Sequence, residues 1–139
     1  MSPFRPDLVD CWIYRVTLTA RGVPHPEILL LRRAPDRILP GLWQCVSGSL
    51  EPGERVALGA LRELGEETGF APADILGFYD LDLVNQFHEA SVDGIMTAAI
   101  FAVRLSPGAE PTLSDEHDGA RWVAVDEIGR ASCRERVCG

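Results

Sequence analysis

The stretch GSLEPGERVALGALRELGEETGF, residues 48–70, decides the fold of this chain. Its first part contains Gly, Ser and Pro and predicts a turn, and residues 55–68 then predict a helix. Gly69 follows at the position where a left-handed glycine ends many helices. The helix carries residues at helical spacing that predict one stripe packed against a sheet: Ala57, Leu61, Leu64 and Thr68.

Segments that predict strands lie on both sides of this helix. They cover residues 8–20, 27–33, 43–46, 75–87, 95–105 and 121–125. Residues 28–31 are continuously apolar, as expected for a strand buried on both faces. Residues 21–26 contain Gly22 and two prolines and predict a turn, and Asp93-Gly94 predicts a hairpin turn. Strands around one well-marked helix predict an α/β fold in which helices pack on a sheet.

Three glutamates share one face of the predicted helix. Glu63, Glu66 and Glu67 stand at i, i+3 and i+4, and we expect this face to lie opposite the apolar stripe. Such a face is either a solvated charged surface or a site for a hard divalent cation, which prefers carboxylate oxygens. Gly59 lies one turn earlier on the same face, where a missing side chain would leave room for a ligand. This spacing alone leaves both interpretations open.

The whole stretch resembles the signature of the Nudix hydrolases. That signature is written G-x5-E-x7-R-E-U-x-E-E-x-G-U, with U aliphatic or aromatic, and residues 48–70 match it at every specified position. The resemblance implies an α/β/α sandwich with a mixed sheet and a catalytic loop–helix. It also implies Mg²⁺-dependent hydrolysis of a phosphoanhydride bond in a nucleoside diphosphate derivative, with Mn²⁺ as a possible substitute.

The resemblance assigns roles to the matching residues. Glu63 and Glu67 would be the principal metal ligands and catalytic residues, with Glu66 as a further ligand, and the Gly48 carbonyl often adds another. Glu54 and Arg62 would support the geometry of the loop and the helix. The reaction implied is attack by a water molecule on phosphorus.

Residues outside the signature resemble one branch of the family, the dihydroneopterin triphosphate pyrophosphohydrolases, also described as dATP pyrophosphohydrolases. Residues 42–54 resemble the run before the helix in that branch, and Glu116-His117 followed by Trp122 resembles its Glu-His…Trp element. The resemblance makes Glu116 an additional metal ligand or the general base.

The same alignment implies substrate contacts. Arg33 and Ser47 would touch the phosphates, since Arg suits phosphate oxygens as a bidentate donor. Trp43 could stack on a base or pterin ring, or could be a core residue. Other substrates within the family, ADP-ribose or a diadenosine polyphosphate, stay open, as does a non-catalytic nucleotide-sensing domain.

The charge balance excludes several other functions. Thirteen basic residues, all of them Arg, face 21 acidic residues, which gives a net charge of −8. The absence of Lys excludes lysine chemistry, and the acidity argues against nucleic-acid polymers and anionic membranes as partners. No apolar stretch is long enough to span a bilayer, and residues 1–10 lack the pattern of a signal peptide, so we expect a cytoplasmic protein.

The cysteines divide into two groups. Cys11 and Cys45 lie singly in apolar segments and are expected to be buried reduced thiols. Cys133 and Cys138 belong to residues 128–139, a run that resembles the in-frame translation of a sequencing adapter. We therefore expect one Nudix domain over residues 1–127, with a truncated C-terminal helix, followed by a non-native tail. The oligomeric state is left open.

Overall fold

In the computed structural model, which describes residues 4–127, seven strands form one mixed sheet. The elements are β1 (Leu8–Leu18), β2 (Pro24–Arg33), β3 (Trp43–Gln44), β4 (Val46–Ser49), α1 (Val56–Thr68), β5 (Ile75–Glu89), β6 (Gly94–Leu105) and β7 (His117–Ala124). Strand β1 pairs with β6 in parallel, and the other pairs are antiparallel. The sheet and helix confirm the predicted α/β sandwich with its loop–helix.

The two central strands β1 and β2 separate along their length, and this separation positions the site. Strand β1 pairs with β2 from Tyr14 onward, but over Leu8–Cys11 it pairs with β4 instead. Strand β2 correspondingly pairs with β3 at Leu31 and Arg32, and with β7 on its other edge. Since α1 follows β4 after a short loop, the helix begins beside the place where the sheet divides.

The core lies between α1 and the sheet. Ala60 and Leu64 of α1 are buried in one cluster with strand residues such as Val9, Ile13 and Phe101. Fully burying a side chain such as Leu64 contributes about 1.5–3 kcal/mol. The glycine after α1, Gly69, has φ +70° and donates its N–H to the Gly65 carbonyl, which confirms the predicted helix end. Leu29, Leu30 and Leu31 are all buried, as their continuous apolar run predicts.

Cys11 and Cys45 are buried free thiols, as predicted. Burial raises the pKa of Cys11 to about 12 and raises that of Cys45 as well, so neither is a reactive thiolate near neutral pH. The hairpin at Asp93-Gly94 is also confirmed, and Asp93 has a positive φ of 46° there.

The strand boundaries differ most from the predictions at three places. Strand β2 begins at Pro24, inside the predicted turn, because residues 24–26 pair only with β1 and a proline is tolerated where the other edge is unpaired. The predicted strand 43–46 divides at Cys45 into β3 and β4, which pair with different partners. Strand β7 begins at His117, before the predicted residue 121, because pairing with β2 extends it.

The face of α1 that contacts the rest of the protein was predicted only in part. Leu64 and Thr68 are buried and Leu61 packs against the core, as expected, but two of the glutamates share this side of the helix. Glu63 and Glu67 are 9% and 2% exposed and lie on the buried side with Ala60 and Leu64, whereas Ala57 is exposed. The apolar periodicity treats a glutamate as a solvent-facing residue, but here Glu63 lines a polar cleft and Glu67 is buried. The glutamates therefore share the packed side of the helix.

The described chain ends at residues 125–127, which are helical. The predicted domain boundary at residue 127 stays a prediction, and the predicted non-native tail, with Cys133 and Cys138, lies outside the described residues. No helix within residues 4–127 is long and apolar enough to cross a membrane.

Candidate functional site

The carboxylate of Glu63 sits directly against the backbone of β4. A Cβ atom added to Gly48 would lie 2.5 Å from Glu63 Oε1 and closer still to the carboxyl carbon. A side chain at position 48 would therefore displace Glu63. The glycine of the signature is required here for a close approach between a strand and a helix.

Arg62 joins the loop before α1 to the helix. Its guanidinium donates Nε–H to Glu54 Oε2 at 2.7 Å and Nη2–H to Glu54 Oε1 at 2.9 Å. A further bond runs from Nη2 to the Ser49 carbonyl at 3.0 Å. The Arg62 guanidinium lowers the pKa of Glu54 to about 2. This geometry agrees with the supporting role that the resemblance implies for both residues.

The same guanidinium holds two of the three helix glutamates. Arg62 Nη1 lies 2.9 Å from Glu63 Oε1 and 3.1 Å from Glu66 Oε2. Glu66 is well exposed, with 59% of its side chain accessible, whereas Glu63 is nearly closed off. Burial raises the pKa of Glu63, and the hydrogen bond from Arg62 opposes this effect.

Gly59 makes room for the loop and not for a ligand, contrary to the expectation from the sequence. A Cβ atom at this position would lie 2.9 Å from Glu54 Oε1 and would also collide with the Leu50 side chain. The glycine therefore lets the loop carrying Leu50 and Glu54 pack on α1. Gly65 has no such neighbour, since a Cβ there would meet no atom of the described chain within 4 Å, and nothing in the structure explains it.

The carboxylate of Glu67 is buried without a hydrogen bond that would offset the cost of its burial. Neither of its oxygens has a hydrogen-bond partner within residues 4–127. Burial, together with the nearby carboxylates of Glu116 and Glu63, raises the pKa of Glu67 to about 9. A buried carboxyl group of this kind needs either a proton or a cation.

Glu116, just before β7, and His117, its first residue, complete the cluster around Glu67. One potential ligand atom from each of the three residues lies within 4.8 Å of the other two. His117 is 4% exposed, its Nε2 lies 3.0 Å from Gln44 Nε2, and its Nδ1 has no partner in the described part of the chain. Burial lowers the pKa of His117.

An open cleft of about 500 Å³ reaches this cluster at Glu116, which lines it together with basic side chains, whereas Glu67 and His117 are buried and are not among the described residues of its lining. Several of the predicted site residues line it together: Arg33, Ser47, Gly48, Glu63 and Glu116. Arg33 enters from the end of β2, and its Nε donates to the Ile38 carbonyl in the following loop. The cleft thus brings carboxylates and arginines together along one space, which suits a polyphosphate bridged by a cation.

Trp43 is not among the described residues that line this cleft. Its ring lies beside Arg32, whose guanidinium carbon is 5.6 Å from the ring centroid. The expected stacking on a base or pterin ring therefore has no support from this geometry. Trp43 is half-buried and does not belong to the core cluster of residues 4–127 either. The reason is register, because Trp43 pairs with Arg32 across β2 and β3 while Gln44 beside it reaches the cleft.

Two cleft residues had no role in the sequence-based predictions. Arg37 lines the cleft, and its buried Nε has no partner within residues 4–127. An arginine in the loop after a strand is a common solvent-facing residue, so no sequence signal distinguishes it. His117 was noted only as the neighbour of Glu116, and its burial depends on the pairing of β7 with β2.

Comparison with known proteins decides the family. The family model of the NUDIX domain matches residues 14–136. The chain belongs to the Nudix family. It is 30% identical over 108 residues to the nucleoside triphosphatase NudI of Klebsiella pneumoniae, covering 72% of this chain and 74% of that protein. Both findings identify a Nudix hydrolase.

Two other similarities are limited to part of a protein or to the fold. The Nudix chain is 40% identical over 104 residues to an octanoyltransferase of Myxococcus xanthus, but spans only 28% of that protein's length. The dihydroneopterin triphosphate pyrophosphohydrolase of E. coli has a similar structure, with a TM-score of 0.68 and 21% identity over 89% of this chain and 85% of that one. The second similarity shows a shared fold.

Proposed function

We propose that this Nudix hydrolase cleaves a phosphoanhydride bond of a nucleoside triphosphate-like substrate and releases pyrophosphate. The observation that carries the proposal is the buried, unpartnered carboxylate of Glu67 beside Glu116, which itself lines a cleft together with Arg33. Deoxynucleoside triphosphates and dihydroneopterin triphosphate are the proposed substrates. The nucleoside triphosphatase relative and the pyrophosphohydrolase of the same fold support this choice.

The residues present fit a divalent cation. Glu63, Glu66, Glu67 and Glu116, with the Gly48 carbonyl, would hold Mg²⁺, or Mn²⁺ in its place, because these hard ions prefer oxygen ligands. Such an ion neutralises charge on phosphoryl oxygens and lowers the pKa of a coordinated water when bound. It also explains how a chain of net charge −8 can act on a polyanion.

The arginines of the cleft supply the remaining positive charge. We assign Arg33 and Ser47 to the phosphates, as the family resemblance implies, and we add Arg37 from the same cleft. Trp43 is left out of this assignment because its ring lies beside Arg32. The substrate would lie with its phosphates between these cations and the glutamates.

The proposed reaction balances as a simple hydrolysis. The oxygen of a water molecule bonds to phosphorus, the anhydride P–O bond breaks, and pyrophosphate leaves together with a monophosphate product. A carboxylate accepts the proton of the attacking water. Glu116 is assigned as the base or as a metal ligand, and Glu116→Gln separates the two. A lost base lowers kcat while Mn²⁺ affinity is kept, whereas a lost ligand lowers both.

A substrate panel with Mg²⁺ tests the proposal. Steady-state pyrophosphate release is compared for dihydroneopterin triphosphate, the four deoxynucleoside triphosphates, ADP-ribose and diadenosine polyphosphates. We expect the highest kcat/KM with a triphosphate. A clear preference for ADP-ribose or a diadenosine polyphosphate would contradict the substrate assignment, and nucleotide binding without turnover would indicate a sensing domain. The cytoplasmic location expected from the sequence stays a prediction.

A further inference from the structure

We propose that His117 adds a nitrogen ligand to the metal centre, so that the group Glu67, Glu116 and His117 takes Mn²⁺ or Co²⁺ in preference to Mg²⁺. The inference goes beyond the proposed hydrolysis, which requires only oxygen ligands. It concerns which ion this chain selects.

The first observation is the distance between the donors. One ligand atom from each of Glu67, Glu116 and His117 lies within 4.8 Å of the other two. Metal–nitrogen and metal–oxygen bonds of about 2.0–2.2 Å place two donors on one ion up to about 4.4 Å apart. A shift of a few tenths of an ångström is enough for all three groups to share one ion.

The second observation is that two of these groups have buried polar atoms without hydrogen-bond partners. His117 is 4% exposed and its Nδ1 has no hydrogen-bond partner within residues 4–127, and the same is true of both oxygens of Glu67, which is 2% exposed. Buried polar atoms in folded proteins are almost always satisfied. A neutral imidazole nitrogen next to unpaired carboxylates is the arrangement that an ion would satisfy at once.

The third observation is the contact between His117 and Gln44. The side-chain amide nitrogen of Gln44 lies 3.0 Å from His117 Nε2. In this orientation the amide donates and Nε2 accepts. A half-turn of the amide would present its oxygen to an Nε2–H group and leave the Nδ1 lone pair free for a metal. Such partners behind a ligating histidine orient the ring and select its tautomer.

The chemistry of the donor set determines the preference. Mg²⁺ favours octahedral oxygen ligands and retains several waters, whereas imidazole suits divalent transition metals. Two carboxylates and one imidazole therefore favour Mn²⁺ and Co²⁺ over Mg²⁺. Glu63 and Glu66, which contact Arg62, offer a metal ion only carboxylate oxygens.

Pulsed electron paramagnetic resonance of Mn²⁺ bound to the full chain, without substrate, tests the nitrogen ligand directly. We expect modulation from a coordinated ¹⁴N nucleus in the wild type and its loss in His117→Gln. The matched control is His88→Gln, because His88 is exposed and pairs with Asp93 on the β5–β6 hairpin. A wild-type spectrum without nitrogen coupling, or coupling that survives in His117→Gln, would overturn the proposal.

Calorimetric titration with Mn²⁺ and with Mg²⁺ measures the preference. His117→Gln should weaken Mn²⁺ binding by about 10-fold or more while changing Mg²⁺ binding much less. Equal losses for the two ions would contradict the proposal. If His117→Gln does not fold, Gln44→Leu provides the second test, since it should weaken Mn²⁺ selectively. If the nitrogen-ligand proposal is wrong, pyrophosphate release stays intact. If the hydrolase assignment is wrong, that result appears only in the substrate panel.

Discussion

Two halves of the same carboxylate site differ in how their charge is balanced. Glu54, Glu63 and Glu66 all contact the guanidinium of Arg62 at 3.1 Å or less. Glu67 has no such partner within the described residues, although it is one helical turn from Glu63. In the arginine half, which is Arg62 with these three glutamates, the protein itself therefore balances the charge. The Glu67 half is completed only by a proton or a cation, and this contrast motivates the predictions below.

Gly48→Ala should have the largest effect, because it displaces Glu63 from its seat against β4. We expect kcat/KM to fall by at least ~100-fold, the size of effect seen when a catalytic group is mispositioned. The measurement is steady-state pyrophosphate release with Mg²⁺. Gly65→Ala is the matched control, because a Cβ there meets no atom of the described chain within 4 Å. Equal activity of the two variants would show that the close approach at Gly48 is not needed.

Arg62→Met should leave the carboxylates of the arginine half without a cation, as Glu67 is in the other half. The variant loses the hydrogen bonds to Glu54 and the Ser49 carbonyl, so the free energy of unfolding should fall by ~2 kcal/mol in EDTA. Mg²⁺ should then raise the Tm more than it does in the wild type. Arg62→Lys keeps the charge but not the planar fork, and it should restore only part of the loss. A Tm that is unchanged in Arg62→Met would contradict the distinction between the halves.

Glu67→Gln should stabilise the metal-free protein. The folded pKa of about 9 lies above the ordinary value of 4.5, so stability is fully present below pH 4.5 and is lost as pH rises toward 9. Gln cannot ionise, so the variant avoids the proton uptake that folding requires of Glu67 above pH 4.5. Its gain in free energy of unfolding in EDTA should therefore be larger at pH 8.5 than at pH 6, growing by on the order of 1 kcal/mol per pH unit. Thermal unfolding at the two pH values measures it. Glu110→Gln, an exposed glutamate that pairs with Arg15, is the control. A gain that does not grow with pH would refute this account of Glu67.

Gly65→Ala should have the smallest effect. The substitution touches neither half of the site, and replacing a helix-interior glycine stabilises by about 0.5–1 kcal/mol. Chemical unfolding of the two proteins side by side checks the gain, and pyrophosphate release should stay unchanged. A loss of activity would mean that this position serves the site in a way that its open surroundings do not show.

The spacing of the signature predicted the loop–helix, its end at Gly69 and the metal-ligand candidates, because these depend on local geometry. The buried run Leu29–Leu31 and the hairpin at Asp93-Gly94 were predictable for the same reason. Pairing between distant strands produced the differences. It placed Pro24 inside β2 and turned Trp43 toward Arg32.

The position of Glu63 and Glu67 on the packed face of α1 could not be predicted, and the reason is physical. Hydrophobic periodicity assigns glutamates to solvent, and it cannot distinguish a packed core from a buried polar cleft. The burial of His117 likewise depends on β7 pairing with β2, a contact between distant parts of the chain. Both features, one predicted wrongly and one not predicted, lie at the candidate site, where a sequence is expected to depart from the rules for a packed core.

Pyrophosphate release by Glu67→Gln and Glu110→Gln, measured side by side with Mg²⁺ and the best substrate of the panel, tests the central claim most directly. The account predicts that Glu67→Gln folds and loses at least ~100-fold in kcat, since it removes a charged ligand from the proposed metal centre. Glu110→Gln should retain the activity of the wild type. Near-normal turnover by a folded Glu67→Gln protein would contradict the assignment of Glu67 to the metal centre.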